Sequence, residues 1–433
     1  MSTVTIGVIG LIALFVLLAI GMPVGMTMFL IGFFGYAYLL HMKGAMGILQ
    51  TTFYTTGSNY NFTVIPLFTL MGQFIFHAGV SGRLYETGHK WLGQLPGGLA
   101  VATVGACGAF AAICGSSTAT AATFTTVSLP EMRKYNYSPD LATGCIVAGG
   151  TLGILIPPSS GFIVYGIITE QSIGKLFAAG FVPGIVLMLC YMSAVIIQAK
   201  RKPELAPPSP RYTIAEKLRS TVGALPVLIL FIIVIGGIFF GWFTANEGAA
   251  VGAFGGLICM ILNRKMNWKT VVDSLKDAMS TTAMIMFIMI GAMVFGNFLA
   301  LSRIPSNLAT FVAGLDVNRY IVLACILFMY AVLGCLMDSM AMILLTVPIF
   351  FPVIKMLGFD TIWYGVLMVM VMEMGLITPP VGMNLFVVKG IAGDVSMMSI
   401  IRGVIPHVAA IIIALVIMVA FPQLSLFLPG ILY

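Results

Sequence analysis

Apolar runs of about 20 residues recur along most of the chain, each long enough to cross a bilayer as one helix. Short polar stretches separate them, and the pattern predicts an all-α polytopic membrane protein. The run Thr5–Ile20 passes through Gly21-Met22-Pro23 into another apolar run, so it reads as a first spanning helix rather than a cleavable signal. Two runs carry a break at their centre. Residues 150–158 read GTLGILIPP and residues 372–380 read MEMGLITPP, with 375 − 153 = 222 for the glycines and 379 − 157 = 222 for the first prolines. Proline removes a backbone donor and breaks the helix ladder. Inside a bilayer such a break survives only where protein or a water-filled cavity satisfies the freed groups. Two breaks in corresponding positions of two halves point to a secondary transporter with its site near the midplane.

The correspondence extends beyond the prolines. At the same offset Ser116-Ser117 faces Asp338-Ser339 and Pro130 faces Pro352. One residue of slippage brings Phe181-Val182-Pro183 onto Gly403-Val404-Ile405-Pro406, and Val80–Leu84 resembles Ile304–Leu308 at offset 224. The halves thus share a plan over roughly 110 residues each. The competing reading is two unrelated helices that both happen to kink at Pro-Pro. The expected organisation is a first repeat over 1–198, with a hairpin at about 97–130 and a broken helix at about 139–170. A basic linker follows at 199–221, and then a second repeat over 222–433, with a hairpin at about 320–352 and a broken helix at about 361–389.

Composition agrees with the class: 60% of residues are hydrophobic and 8% charged, against roughly 25% charged in soluble domains. The seven cysteines lie in apolar segments without CxxC spacing, which argues against a disulfide framework or a zinc site. His41, His77, His89 and His407 are scattered and form no ligand pattern.

The charges orient the chain. The longest polar stretch, Ala199–Arg219, holds six basic residues between the halves and is placed in the cytoplasm. Working outward, Arg83, Lys90, Arg133, Lys134, Arg264, Lys265, Lys269 and Lys276 fall on the same side, while Lys175, Arg303, Arg319 and Lys355 fall opposite. Both chain ends then lie outside. The count closes only if both hairpins are re-entrant, the first opening inward and the second outward, which makes the repeats inverted.

The hairpin tips carry the polar chemistry. The first, Cys114-Gly115-Ser116-Ser117-Thr118, suits exposed backbone at mid-membrane depth, or else ordinary hydroxyl packing between helices. The second, Gly334-Cys335-Leu336-Met337-Asp338-Ser339, holds an intramembrane carboxylate, which is costly and marks function by default. Glu373 lies in an apolar run and either coordinates a cation or pairs with a base from another helix. Glu247 is read as lying near an interface. A broken helix offers carbonyls at one half-helix end and amides at the other, for a cation and an anion respectively. Two pseudo-symmetric Na⁺ sites are expected. One gathers Gly115 and Ser116 with Gly150, Gly153 and Pro157; the other gathers Gly334 and Asp338 with Gly375 and Thr378. An anionic substrate is expected between the tips, at Ser116, Ser117, Thr118, Ser159, Ser160 and Asp338.

With these motifs in view, CGSSTATAATFTTVSLPEMRKYNYSPDLATGCIVAGGTLGILIPPS, GCLMDSMAMILLTVPIFFPV and MGLITPPVGMNLFVVKGI together resemble the large membrane subunit of tripartite ATP-independent periplasmic (TRAP) transporters, of the ion-transporter superfamily. The resemblance covers nearly the whole chain. It implies a multi-pass protein of the bacterial inner membrane and sodium-driven import of an organic acid by an elevator movement of hairpins and broken helices. Its implied partners are a small four-helix membrane subunit and a soluble periplasmic substrate-binding protein; no cofactor is implied beyond Na⁺ as coupling ion. Because residue 1 begins directly at the large subunit's first helix, a separate small subunit is expected. The tips offer hydroxyls and an acid rather than an arginine clamp for a dicarboxylate, so sialic acid is the substrate expectation, with sugar acids and C4-dicarboxylates as alternatives.

Two other classes remain. One is a stand-alone sodium/dicarboxylate or citrate-type symporter, distinguished by uptake without a binding protein. The other, an enzyme, would need an acid pair, a Ser/His arrangement or a metal cluster at depth; the sequence shows Asp338 and Glu373 without a partner histidine or an HExxH-type motif, so no enzymatic activity is expected. Paired broken helices suit alternating access rather than a channel.

Overall fold

The computed structural model describes residues 2–208, 210, 212–314 and 317–433. Ser209 and Arg211 of the basic linker therefore lie outside the described residues. Helices account for most of the chain. The first ten are α1 (Thr3–Ala19), α2 (Val24–Leu39), α3 (Met42–Ser58), α4 (Val64–His77), α5 (Val80–Leu92), α6 (Gly98–Cys114), α7 (Ser117–Lys134), α8 (Pro139–Leu155), α9 (Ser160–Thr169) and α10 (Ile173–Arg201). The other ten are α11 (Ile214–Phe239), α12 (Ala245–Leu262), α13 (Trp268–Ser302), α14 (Ile304–Ala313), α15 (Arg319–Gly334), α16 (Ser339–Met356), α17 (Thr361–Leu376), α18 (Met383–Ala392), α19 (Met397–Ala420) and α20 (Gln423–Leu432). Among the described residues, seven helical segments are long and apolar enough to cross a membrane, or eight if the bent pair Tyr60–His77 and Val80–Leu92 counts as one span.

Local chemistry sets the boundaries. Thr213 with Glu216 and Thr244 with Glu247 form capping boxes that start α11 and α12, so the Glu247 carboxylate is spent on its own helix terminus. Pro139 occupies the first turn of α8, where its missing N–H costs nothing. Gly79 and Arg303, 224 residues apart (303 − 79), both adopt left-handed backbone, and each turns the chain into the next helix, α5 or α14. Helix starts also correspond: 339 − 117 and 361 − 139 both give 222, for α16 against α7 and α17 against α8.

The core is built around α8 and α17. Every residue from Leu141 to Leu155 is buried, and α17 is buried over nearly its whole length. A helix apolar all round belongs inside a bundle. α19 crosses α8 at Gly144 and Gly403, close enough that a Cβ on Gly403 would overlap the Asp140 carbonyl oxygen. The Ser399 hydroxyl donates to the Asp140 carboxylate beside that crossing. Because both sides of the contact are backbone, Gly403→Ala is expected to destabilise the protein by about 1–3 kcal/mol. Gly236→Ala, whose added methyl meets nothing within 4 Å, should not lower the detergent melting temperature.

At one end of the bundle, Arg133 closing α7 donates to Asp394 at 2.5 Å and to the Ala392 carbonyl at 3.3 Å, tying α7 to the end of α18. That hydrogen bond holds the Asp394 carboxyl below its usual range.

Candidate functional site

The helix breaks bring distant residues together. α8 ends before Ile156-Pro157-Pro158, and α17 ends before the turn containing Pro379-Pro380; both Pro-Pro bonds are cis. Each break lies against a hairpin tip of its own half. A Cβ on Gly153 would overlap the Ser116 carbonyl oxygen and sit 2.7 Å from the Ser116 carbonyl carbon. A Cβ on Gly375 would sit 2.5 Å from Gly334 Cα. Glycine at these positions allows backbone to approach backbone, as small residues do in membrane bundles. Hydrogen bonds complete the junctions: the Ser160 hydroxyl donates to the Gly115 carbonyl at 2.6 Å, and the Gly382 amide donates to the Cys335 carbonyl at 3.1 Å. Gly115 itself is left-handed (φ 62°), and a side chain there would press on the Pro158 carbonyl oxygen at 3.0 Å.

At the tips, Ser116 caps α7 by accepting from the Ala119 amide, and its hydroxyl lies 3.4 Å from that of Thr118. Asp338 caps α16, its Oδ2 accepting from the Met340 amide at 3.0 Å. The two tips meet at Glu373. The Ser117 hydroxyl donates to Glu373 Oε2 at 2.6 Å and shares its proton with the Gly150 carbonyl at 3.1 Å. The Ser339 hydroxyl donates to Glu373 Oε1 at 3.2 Å, and Asn384 Nδ2 donates to Ser117 Oγ at 3.0 Å. Glu373 and Asn384 are completely buried. No lysine or arginine pairs with Glu373 among the described residues; of the two roles open to it in the sequence, pairing with a base is not what the structure contains.

A cavity of about 630 Å³ opens beside the tips. Gly115 to Thr118, Ser160, Asp338 and Ser339 are among its lining residues. From there it runs along α7 past Thr123 and Thr126, along α18 to Ile391, and between Gln73 of α4 and Asp277 and Thr281 of α13. The helix ends it approaches carry Arg133, Lys134, Lys269 and Lys276, yet among the described residues no lysine or arginine lines it. Ser159 is buried, caps α9 through the Phe162 amide and is not part of the wall. The Thr378 hydroxyl donates back to the Met374 carbonyl at 2.6 Å, which leaves its oxygen lone pairs as the available donor.

The first tip offers hydroxyl and helix-end carbonyl oxygens and the second adds the Asp338 carboxylate, hard donors that fit an alkali cation. Among the described residues no three His, Cys, Asp or Glu side chains converge as a transition-metal site would require. Sequence reasoning singled out both tips and both breaks but omitted Asn384, Gln73 and Asp277, and it named no partner for Glu373. The one signal for Glu373 was a carboxylate inside an apolar run.

Comparison with known proteins places the chain in a family. The family described as "Tripartite ATP-independent periplasmic transporter, DctM component" matches residues 11–424. The C4-dicarboxylate TRAP transporter large permease protein DctM of Pseudomonas aeruginosa is 38% identical, over 90% of this chain and 91% of that protein. The sialic acid TRAP transporter large permease protein SiaM of Vibrio cholerae is 31% identical over 95% and 96%. The 2,3-diketo-L-gulonate TRAP transporter large permease protein YiaN of Escherichia coli is 32% identical over 94% and 95%. Among solved structures, the Alcanivorax borkumensis YdaH transporter superposes with a TM-score of 0.59 at 15% identity, covering 89% of this chain and 91% of that one, a likeness of fold alone. With a family match along nearly the whole length and full-length relatives above 30% identity, the chain belongs to the DctM component of the tripartite ATP-independent periplasmic transporters, a family of large transporter permeases and not of enzymes.

Proposed function

We propose that the protein is the membrane permease through which an organic acid is imported with Na⁺, working with a small membrane subunit and a periplasmic binding protein in the bacterial inner membrane. The observation that carries this reading is the meeting of both hairpin tips, beside both helix breaks, in the wall of one cavity. Hydroxyl oxygens at the first tip, and the Asp338 carboxylate with the Ser339 hydroxyl at the second, supply cation ligands. The N-terminal amides of α7 and α16 supply partial positive charge for a carboxylate between them. The 222-residue spacing of α7 and α8 with α16 and α17 supports two inverted repeats. The cavity's approach to Arg133, Lys134, Lys269 and Lys276 supports an inward-open state, since basic residues favour the cytoplasm. In an elevator cycle, the tips and breaks would carry the bound acid past the remaining helices.

The absence of lysine and arginine among the lining residues favours a polyhydroxylated mono-acid such as sialic acid, because two carboxylates are better met by a bidentate arginine. The 38% identity to a C4-dicarboxylate permease favours the second reading. Uptake into proteoliposomes decides. With small subunit, binding protein and an inward Na⁺ gradient all present, labelled acid is expected to accumulate, and omission of any one should reduce uptake to background. Uptake by this chain alone would place it with stand-alone symporters. Accumulation of succinate but not sialic acid would select the second reading.

A further inference from the structure

We propose that Glu373 is a positioning residue shared by the two cation sites, a single buried carboxylate that orients one ligand-bearing serine on each hairpin tip and couples occupancy of one site to the other. This rests on the sodium-coupled reading above, adds the hydroxyls of Ser117 and Ser339 to the two proposed donor sets, and places Glu373 behind them. Ser117 and Ser339 stand at equivalent positions: each is the first residue of the second hairpin helix, directly after the capping residue Ser116 or Asp338. The Ser117 hydroxyl donates chiefly to Glu373 Oε2, at 2.6 Å against 3.1 Å to the Gly150 carbonyl, and the Ser339 hydroxyl donates to Glu373 Oε1. A hydroxyl committed as donor presents its lone pairs elsewhere, so the carboxylate fixes both serines as acceptors for a cation and raises their basicity.

The charge balance supplies the coupling. Glu373 is completely buried, and among the described residues no lysine or arginine pairs with it. An isolated carboxylate in such a place is costly. A cation at either tip offsets that cost and, through the shared carboxylate, holds the other tip in its binding geometry. The first tip has one further resource: Asn384 Oδ1 is buried without a hydrogen-bond partner, while its Nδ2 holds Ser117.

The test uses the full-length protein in detergent and, reconstituted with its partners, in liposomes. The first readout is the Na⁺ concentration giving half-maximal thermal stabilisation, at constant ionic strength with choline as replacement; the second is the Hill slope of Na⁺ in uptake. Glu373→Gln keeps the size and removes the charge. It is expected to raise the Na⁺ midpoint 10–100-fold and bring the Hill slope towards one, with substrate KM at saturating Na⁺ within about twofold of wild type. Glu373→Asp should recover part of the midpoint. A merely structural role would lower the melting temperature without Na⁺ and leave the midpoint in place. That result, or an equal loss in substrate KM, overturns the inference. If Glu373→Gln is not recovered folded, Ser339→Ala decides: it breaks one of the two links and must also lower the Hill slope. A wild-type protein neither stabilised by Na⁺ nor driven by its gradient would instead overturn the sodium-coupled reading itself.

Discussion

Asp338→Asn is expected to reduce sodium-driven uptake by about 100-fold or more while leaving the protein folded. The substitution separates two roles of one side chain. As the N-cap of α16, Asp338 accepts from the Met340 amide, and asparagine caps a helix about as well as aspartate. The cap therefore survives and the melting temperature should move little. What is lost is a negative charge facing the cavity at the second tip. At a coordination distance of about 2.4 Å and an effective dielectric constant of about 20, the gross attraction between that charge and a monovalent cation is about 7 kcal/mol. Desolvation offsets much of it, but a net loss of only about 2.7 kcal/mol already gives 100-fold. Uptake should be measured across a Na⁺ titration, with melting of the purified variant as the folding control. Normal uptake with unchanged sodium dependence would remove Asp338 from the cation site.

The sequence shows the interrupted segments plainly because they conflict with their surroundings. Pro-Pro in an apolar run and a carboxylate at a tip are both expensive in lipid, and neither is needed to fill a core. Periodicity and composition likewise identified the membrane class, and specific motifs identified the family. The pairings were not legible. Ser117 and Glu373 are 256 residues apart, and nothing in a local window says that a serine of one half donates to an acid of the other. Gln73, Asp277 and Thr281 were passed over for a related reason. Each reads as an ordinary polar residue of its helix and becomes cavity wall only when α4 and α13 are placed beside the tips. Glu247 shows the reverse limit, since a charge that stands out in the chain is consumed by a capping box.

The glycines of the two breaks provide the second large effect. Gly375→Ala and Gly153→Ala should each reduce uptake about 100-fold, although alanine is the better helix former by about 1 kcal/mol. Propensity loses here because the added methyl has no space. At Gly375 it would lie 2.5 Å from Gly334 Cα and 3.0 Å from the Cys335 amide nitrogen; at Gly153 it would overlap the Ser116 carbonyl. These neighbours are backbone, so no rotamer change relieves the clash, and the tip must move away by about 1 Å at a cost of about 1–3 kcal/mol. A displacement of that size at a reacting centre costs about 100-fold in rate, and oxygen ligands spaced for a small cation tolerate it no better. Gly390→Ala is the control, in the second half of the same broken helix but with nothing within 4 Å of the new methyl; it should transport as wild type does. The sodium midpoint should rise with Gly375→Ala and Gly153→Ala and stay fixed with Gly390→Ala. Uptake within twofold of wild type in the first two would mean that close contact between break and tip is dispensable, and that the paired glycines serve packing alone.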